Sequence, residues 1–129
     1  MNDLPYSDYA IHEATGVRQT GTRRGHKWGV AVGVRRDIQV LQHIQIHDDA
    51  ANGRLVALDL FLPSANGRGF KHRFVGSYAP WDPGLDAIST RFWPLLTRTC
   101  NEAPGGWTVA GDLNATLLSS ERASPQRDG

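Results

Sequence analysis

The sequence has little cysteine, no long apolar run and almost no excess charge. Its one cysteine in 129 residues, Cys100, excludes an intrachain disulfide and hence a disulfide-stapled secreted scaffold. Its apolar runs fall far short of the roughly 18 to 20 residues that span a membrane. The first residues include Asp3 where an export signal has basic residues. We therefore expect an intracellular chain with no membrane partner.

The charge balance also limits the function. Fourteen Lys and Arg residues face thirteen Asp and Glu residues, a net charge of +1, so any affinity for a polyanion must come from a local group of cations. Hydrophobic residues make up 40% of the chain and charged residues 21%, as in folded globular domains. We expect one domain over residues 1–118, followed by a polar, disordered tail over residues 119–129.

Short apolar runs separated by turn residues predict a strand-rich domain. In the run 38–46 the even positions are mostly apolar and predict one buried row, with His43 on a solvated face. The run 55–62 is apolar on both faces apart from Asp59, which predicts a central strand. The predicted strands cover residues 28–34, 38–46, 55–62, 72–78 and 107–110.

A helix is predicted between the last two strands. Asp82 and Pro83 are suited to a helix start, and the apolar residues that follow lie on one helical face as far as Cys100. Pro94 lacks a backbone donor and should kink or divide this helix. Strands with one covering helix predict an α+β fold. Cys100 on the apolar face is interpreted as a buried structural thiol.

The segment from Gly111 to Asn114, Gly-Asp-Leu-Asn, directly follows the last predicted strand. In an extended backbone Asp112 and Asn114 share a face and Leu113 points into the core. A carboxylate beside a neutral amide suits phosphodiester hydrolysis, because the acid can orient or deprotonate water while the amide holds an oxygen. The structural alternative is an Asx turn, which Asp and Asn commonly form after a strand.

Three motifs and a helix in sequence order resemble a known family. They are the Gly-Val-Ala strand within 28–34, the turn Tyr78-Ala79-Pro80, a helix containing Phe92-Trp93, and the Gly-Asp-Leu-Asn segment. The series resembles the endonuclease/exonuclease/phosphatase superfamily, whose members include DNase I-like nucleases, and within it the retrotransposon-type domains. The resemblance runs over about residues 6–115. It implies a partial DNase I-like β-sandwich of mainly antiparallel strands with a covering helix.

The resemblance also implies an activity and a site. The activity is divalent-metal-dependent phosphodiester hydrolysis, with a nucleic acid or another phosphodiester as substrate and Mg²⁺ as cofactor. Asp112 would orient or activate the attacking water, Asn114 would contact the scissile phosphate and help complete the metal environment, and Tyr78 would donate its phenol to a phosphate oxygen. The alternative for Tyr78 is an aromatic side chain that closes the core at a strand end.

A basic loop precedes the first predicted strand and offers further contacts with a nucleic acid. Arg24, His26 and Lys27 lie in this loop and are candidates for binding the phosphate backbone. A solvated basic loop is the alternative reading. The remaining histidines, His12, His43, His47 and His72, are assigned no role.

Two parts of the family pattern have no match here, namely the metal-binding Glu after an early strand and the terminal Ser-Asp-His-type motif. Glu13 is the only nearby acid and lies at the wrong point of the pattern. We therefore expect a domain truncated at both ends, without the main carboxylate ligand of Mg²⁺ and with impaired activity. The alternative is a catalytically inert fragment or interaction module. Uncovered sheet edges would favour self-association.

Overall fold

The fold is given by a computed structural model, which describes residues 8–15, 29–80 and 90–114. These residues are mixed α and β, mostly strands in two sheets, which confirms the α+β prediction. The strands are β1 (Tyr9–Thr15), β2 (Gly29–Arg35), β3 (Gln39–His43), β4 (Leu55–Leu62), β5 (Phe70–Tyr78) and β6 (Gly106–Asp112). The helices are a 3₁₀-helix (Asp49–Ala51) and α1 (Phe92–Asn101).

The two sheets differ in size and are largely antiparallel. Strands β1 and β2 form a two-stranded antiparallel sheet, and the second sheet has the order β3-β4-β5-β6. Among the strands of the described residues, only β5 and β6 pair in parallel. Parallel neighbours need a crossover connection, and α1 lies in the chain between β5 and β6. The carboxyl ends of β5 and β6 therefore lie side by side at one end of the larger sheet.

Strand β4 has the buried central position that its apolar sequence predicts. Residues 55–60 are all buried, because each face of the strand is covered by a different layer. Leu55 and Ala57 pack with the apolar residues of α1. Val56, Leu58 and Leu60 pack with the smaller sheet, mainly through Val34 of β2 and the partly buried residues around it. The larger sheet thus lies between α1 and the two-stranded sheet.

The prediction of one buried row over residues 38–46 is wrong, because β3 contains a bulge. Val40 pairs with Leu60 and Gln42 with Asp59, so Leu41 is the extra residue and lies 40% exposed. An extra residue reverses the alternation of side chains. Val40 therefore packs on the side of the smaller sheet, whereas Ile44 and Ile46 pack with the helix side. His43 becomes half-buried rather than solvated.

The structure agrees with the prediction that the helix is divided near Pro94. Thr90 is helical and Arg91 lies in a turn, which separates Thr90 from α1. Helix α1 begins at Phe92, so Pro94 occupies its first turn, where a backbone N–H has no partner within the helix. The apolar face is confirmed over this helix, with Phe92, Leu95 and Cys100 all buried. Burial raises the pKa of the Cys100 thiol, in agreement with a structural role. The predicted helix start at residues 82–83 lies outside the described residues.

A buried ion pair ties the larger sheet to α1. Arg73 of β5 lies directly opposite Asp59 of β4; its Nε donates to Asp59 Oδ1 at 2.7 Å and its Nη2 to Oδ2 at 2.9 Å. The remaining Nη1 donates to the carbonyl oxygen of Thr99 at 2.8 Å. The hydrogen bonding to the Asp59 carboxylate raises the pKa of the Arg73 guanidinium. The pair therefore fixes where α1 ends against β5.

The 3₁₀-helix before β4 is held by Asp48. One carboxylate oxygen, Oδ1, accepts from the backbone N–H of Ala50 at 2.9 Å and from Arg91 Nη2 at 3.1 Å. The first of these bonds is the main cause of the lowered pKa of Asp48. Arg91 lies beside the N-terminus of α1, where a positive charge is unfavourable, so the carboxylate offsets that cost as well.

Replacing Asp48 by alanine is therefore expected to lower the free energy of unfolding by about 1 kcal/mol, the usual cost of losing a cap. Since the folded pKa lies below the unfolded value, this stabilisation is present above the unfolded pKa and is lost as the pH falls through the folded pKa. Urea unfolding at pH 7 and pH 3 measures both effects. The neighbouring exposed Asp49→Ala is the control, and equal losses in the two variants at pH 7 would contradict the assignment.

No helix within the described residues is long and apolar enough to cross a membrane. The candidate phosphate-binding loop with Arg24, His26 and Lys27 and the polar tail over residues 119–129 both lie outside the described residues.

Candidate functional site

The candidate residues lie at the end of the larger sheet where the carboxyl ends of β5 and β6 are side by side. In the parallel register Tyr78 is directly opposite Asp112, and the ladder continues with the N–H of Ala79 donating to the carbonyl oxygen of Asp112 at 2.8 Å. Tyr78 is half-buried, whereas Asp112 and Asn114 are exposed. Ligands of open sheets with parallel strands commonly bind at the carboxyl ends of those strands. We call the group Tyr78, Asp112 and Asn114 the strand-end site.

Asp112 forms the Asx turn that the sequence offered as the structural alternative. Its Oδ1 accepts from the backbone N–H of Asn114 at 3.0 Å. Within the described residues no hydrogen bond engages its Oδ2. One carboxylate oxygen, Oδ1, therefore shapes the turn.

Asn114 is fixed to the end of β5 by its side chain. Its Nδ2 donates to the carbonyl oxygen of Ala79 at 2.9 Å. Its φ of 47° lies in the left-handed region that asparagine tolerates. An amide NH₂ group has two donors, and this hydrogen bond uses one of them.

The geometry behind this arrangement differs from the prediction. The backbone does not stay extended from Asp112 to Asn114, because β6 ends at Asp112 and the Asx turn follows. The prediction that Leu113 points into the core is wrong, since it is 36% exposed. The turn and the bond to Ala79, rather than strand alternation, bring Asn114 to the strand ends.

Arg54 is a positively charged residue beside the strand-end site that was not predicted from the sequence. Its guanidinium carbon lies 5.4 Å from the centroid of the Tyr78 ring, and its Nη1 donates to the Tyr78 carbonyl oxygen at 3.3 Å. In return its own carbonyl oxygen accepts from the N–H of Tyr78 at 2.8 Å. The available signal was its position just before β4, the antiparallel neighbour of the strand that ends in Tyr78. A cation over the ring holds Tyr78 in place.

The N-terminus of α1 lies at the same end of the larger sheet. Phe92 at its start packs in one cluster with Ala79, while Thr99 near its end bonds to Arg73, further back along β5. The helix therefore runs antiparallel to β5, with its positive dipole end towards the strand-end site. Arg91 adds a cation there, paired with Asp48.

The described residues contain no group of three His, Cys, Asp or Glu side chains that could enclose a metal ion. Glu13, the acid considered as a substitute ligand, lies exposed in the smaller sheet opposite Ala31. At the strand-end site the donors are one carboxylate, Asp112, and the side-chain oxygens beside it. Mg²⁺ usually binds through one or two carboxylates, several waters and substrate phosphates. The oxygen donors at the strand-end site therefore fit an ion that also binds water and a ligand phosphate. They do not fit an ion that the protein encloses by itself.

Comparison of the chain with protein-family models, curated proteins and solved structures gave no match.

Proposed function

We propose that the chain serves divalent-metal-dependent phosphodiester hydrolysis of the endonuclease type, as part of a DNase I-like domain of the endonuclease/exonuclease/phosphatase superfamily. The observation that carries the proposal is the direct pairing of Tyr78 with Asp112 at the ends of two parallel strands. The fixed position of Asn114 on Ala79 and the nearby Arg54 support it. A phosphodiester would lie across the two strand ends, with DNA, RNA and small phosphoesters all open as substrates.

Each side chain has a separate task in this proposal. Asp112 orients the attacking water through Oδ2, the oxygen that the Asx turn does not use. The phenol of Tyr78 and the second amide hydrogen of Asn114 donate to phosphate oxygens. Arg54 holds the Tyr78 ring and places positive charge beside the developing charge of the phosphate.

A bound Mg²⁺ would be held by Asp112 together with the substrate phosphate. It would supply charge neutralisation at the phosphate oxygens. Because one carboxylate is a weak ligand set, we expect the ion to bind tightly only when the phosphodiester is present.

A second candidate function has one observation in its favour. The side chains of Asp112 and Asn114 both form hydrogen bonds with backbone groups. These bonds are enough to explain the two residues as turn-forming residues. In that case the chain is an inert interaction module that keeps the sheet.

The two functions are separated by Asp112→Asn in the full chain. Asparagine preserves the acceptor of the Asx turn but removes the carboxylate, so a structural role survives and a chemical role does not. With Mg²⁺ and supercoiled plasmid DNA or labelled RNA, we expect cleavage that a chelator abolishes and that Asp112→Asn slows at least tenfold, a loss of about 1.4 kcal/mol of transition-state stabilisation.

The matched control is Asp37→Asn, an exposed carboxylate in the turn between β2 and β3. It is expected to cleave at the wild-type rate. Absence of cleavage by the wild type, or equal rates in Asp112→Asn and wild type, would refute the proposed endonuclease-type hydrolysis and favour the inert module.

A further inference from the structure

We propose that His12 and His43 together bind one transition-metal ion between the two sheets. His12 lies in β1 and His43 in β3, and their ring centroids are 5.6 Å apart with the ring planes inclined at 64°. The two residues are 31 positions apart in the chain, and the bulge in β3 brings His43 to the side that faces the smaller sheet. This site is separate from the strand-end site and does not depend on the proposed hydrolysis.

The spacing of the rings suits a shared metal ion. Two imidazoles that bind one tetrahedral ion with metal–nitrogen distances of about 2.0–2.1 Å have their ring centroids roughly 5 Å apart. The observed separation of 5.6 Å is within a small side-chain rotation of that value. Inclined planes also fit, because ligands on a tetrahedral ion point along different directions.

An unpartnered nitrogen marks the position of the ligand. The Nε2 atom of His12 is buried and has no hydrogen-bond partner within the described residues. A buried polar atom without a partner costs free energy. Coordination through Nε2 would remove that cost, and the His43 ring, whose centroid lies 5.6 Å from that of His12, would supply the second donor.

Room for the other ligands of such an ion lies on the side of His43. A cavity of about 200 Å³ there is lined by His43 and Glu13 together with residues 44–46, and His12 does not line it. This space holds water molecules easily, and the carboxylate of Glu13 gives it negative charge. Since no third His, Cys, Asp or Glu completes the pair within the described residues, water fills the remaining positions. Imidazole ligands favour Cu²⁺, Ni²⁺ and Zn²⁺, with Cu²⁺ bound most tightly.

The test is a titration of the full chain with Cu²⁺, Ni²⁺ or Zn²⁺ by calorimetry, in wild type, His12→Gln, His43→Gln and His47→Gln. His47 is exposed and is not part of the His12–His43 ring pair, so His47→Gln is the matched control. We expect either change in the pair to weaken the tightest binding at least tenfold and His47→Gln to leave it unchanged. The metal should also raise the melting temperature of the wild type but not of the two pair variants.

A spectroscopic measurement guards against a variant that is merely misfolded. With one equivalent of Cu²⁺, the electron paramagnetic resonance spectrum of the wild type should show coupling to two nitrogens, and that of His43→Gln to one, at unchanged circular dichroism. Equal affinities in the wild type and both pair variants, or an equal loss in His47→Gln, would overturn the proposal and leave the two rings as a packing contact.

Discussion

Arg73→Met is expected to lower the free energy of unfolding by about 3–5 kcal/mol, because it leaves a buried charge without its partner. The side chains of Arg73 and Asp59 are only 7% and 10% exposed. Both oxygens of Asp59 accept from Arg73, and the carbonyl oxygen of Thr99 takes the remaining hydrogen bond. The substitution removes all three bonds at once, while the methionine still fills much of the arginine's volume.

The expected loss is a substantial fraction of the 5–15 kcal/mol by which domains are usually stable. Urea unfolding followed by circular dichroism measures it. The matched control is Arg35→Met, which breaks an exposed ion pair with Asp37 at 2.6 Å whose side chains are 64% and 60% exposed. Such a pair contributes about 0–1 kcal/mol.

A double variant separates the charge effect from poor packing. Asp59→Leu combined with Arg73→Met removes both charges, and replacing a whole buried pair by apolar residues is often neutral or stabilising. We expect this variant to be more stable than Arg73→Met alone. If Arg73→Met lost no more stability than Arg35→Met, the pair would not hold β4, β5 and α1 together.

Strand positions could be predicted where the sequence alternates or stays apolar without interruption. The central strand β4 is confirmed. Strand β1 was not predicted, because its apolar and polar residues alternate weakly around His12 and Glu13. The bulge at Leu41 could not be predicted either, since the even-numbered apolar row continues across it and only the pairing with β4 reveals the extra residue.

Single charged residues in apolar runs showed where polar structure is buried, but not what it contacts. Asp59 stood out as the one exception in β4, yet its partner Arg73 was visible only through the register of β5. The same holds for His43, whose contact with His12 joins two different sheets. Pairing register is a long-range property, and short-range patterns do not carry it.

The residues of the strand-end site could be predicted from their sequence motifs, but the residues that surround the site could not. Tyr78 and Asp112 each follow from a strand that ends in a turn. Their pairing follows from the parallel crossover through α1. Arg54 comes from another part of the chain and became visible only with β4 in place. The chemical roles of Tyr78, Asp112 and Asn114 stay predictions until cleavage is measured.

The conformation of Gly111 connects the stability of β6 with the strand-end site. Its φ is +130°, which L-residues rarely adopt, and a Cβ atom there would collide with the carbonyl oxygen of Ser77. The colliding atom belongs to the backbone of β5, so neither partner can rotate away. Gly111 thus allows the two strands to approach closely just before Asp112 meets Tyr78.

Gly111→Ala is accordingly expected to lower the free energy of unfolding by about 3 kcal/mol or more, from backbone strain and overpacking together. The control is Gly67→Ala, at a φ of +81° in a turn with no atom within 4 Å of the added Cβ. There only strain of about 1–2 kcal/mol applies. Urea unfolding measures the difference.

Hydrogen exchange would locate the damage, because the amide of Ala79 bonds to the carbonyl oxygen of Asp112. We expect the Ala79 amide to lose protection in Gly111→Ala and to keep it in Gly67→Ala. A loss of stability in Gly111→Ala that is no larger than in Gly67→Ala, with the Ala79 amide still protected, would contradict the close approach. Since the pairing of Tyr78 with Asp112 depends on this approach, Gly111→Ala should also weaken the proposed binding of a phosphodiester at the strand-end site.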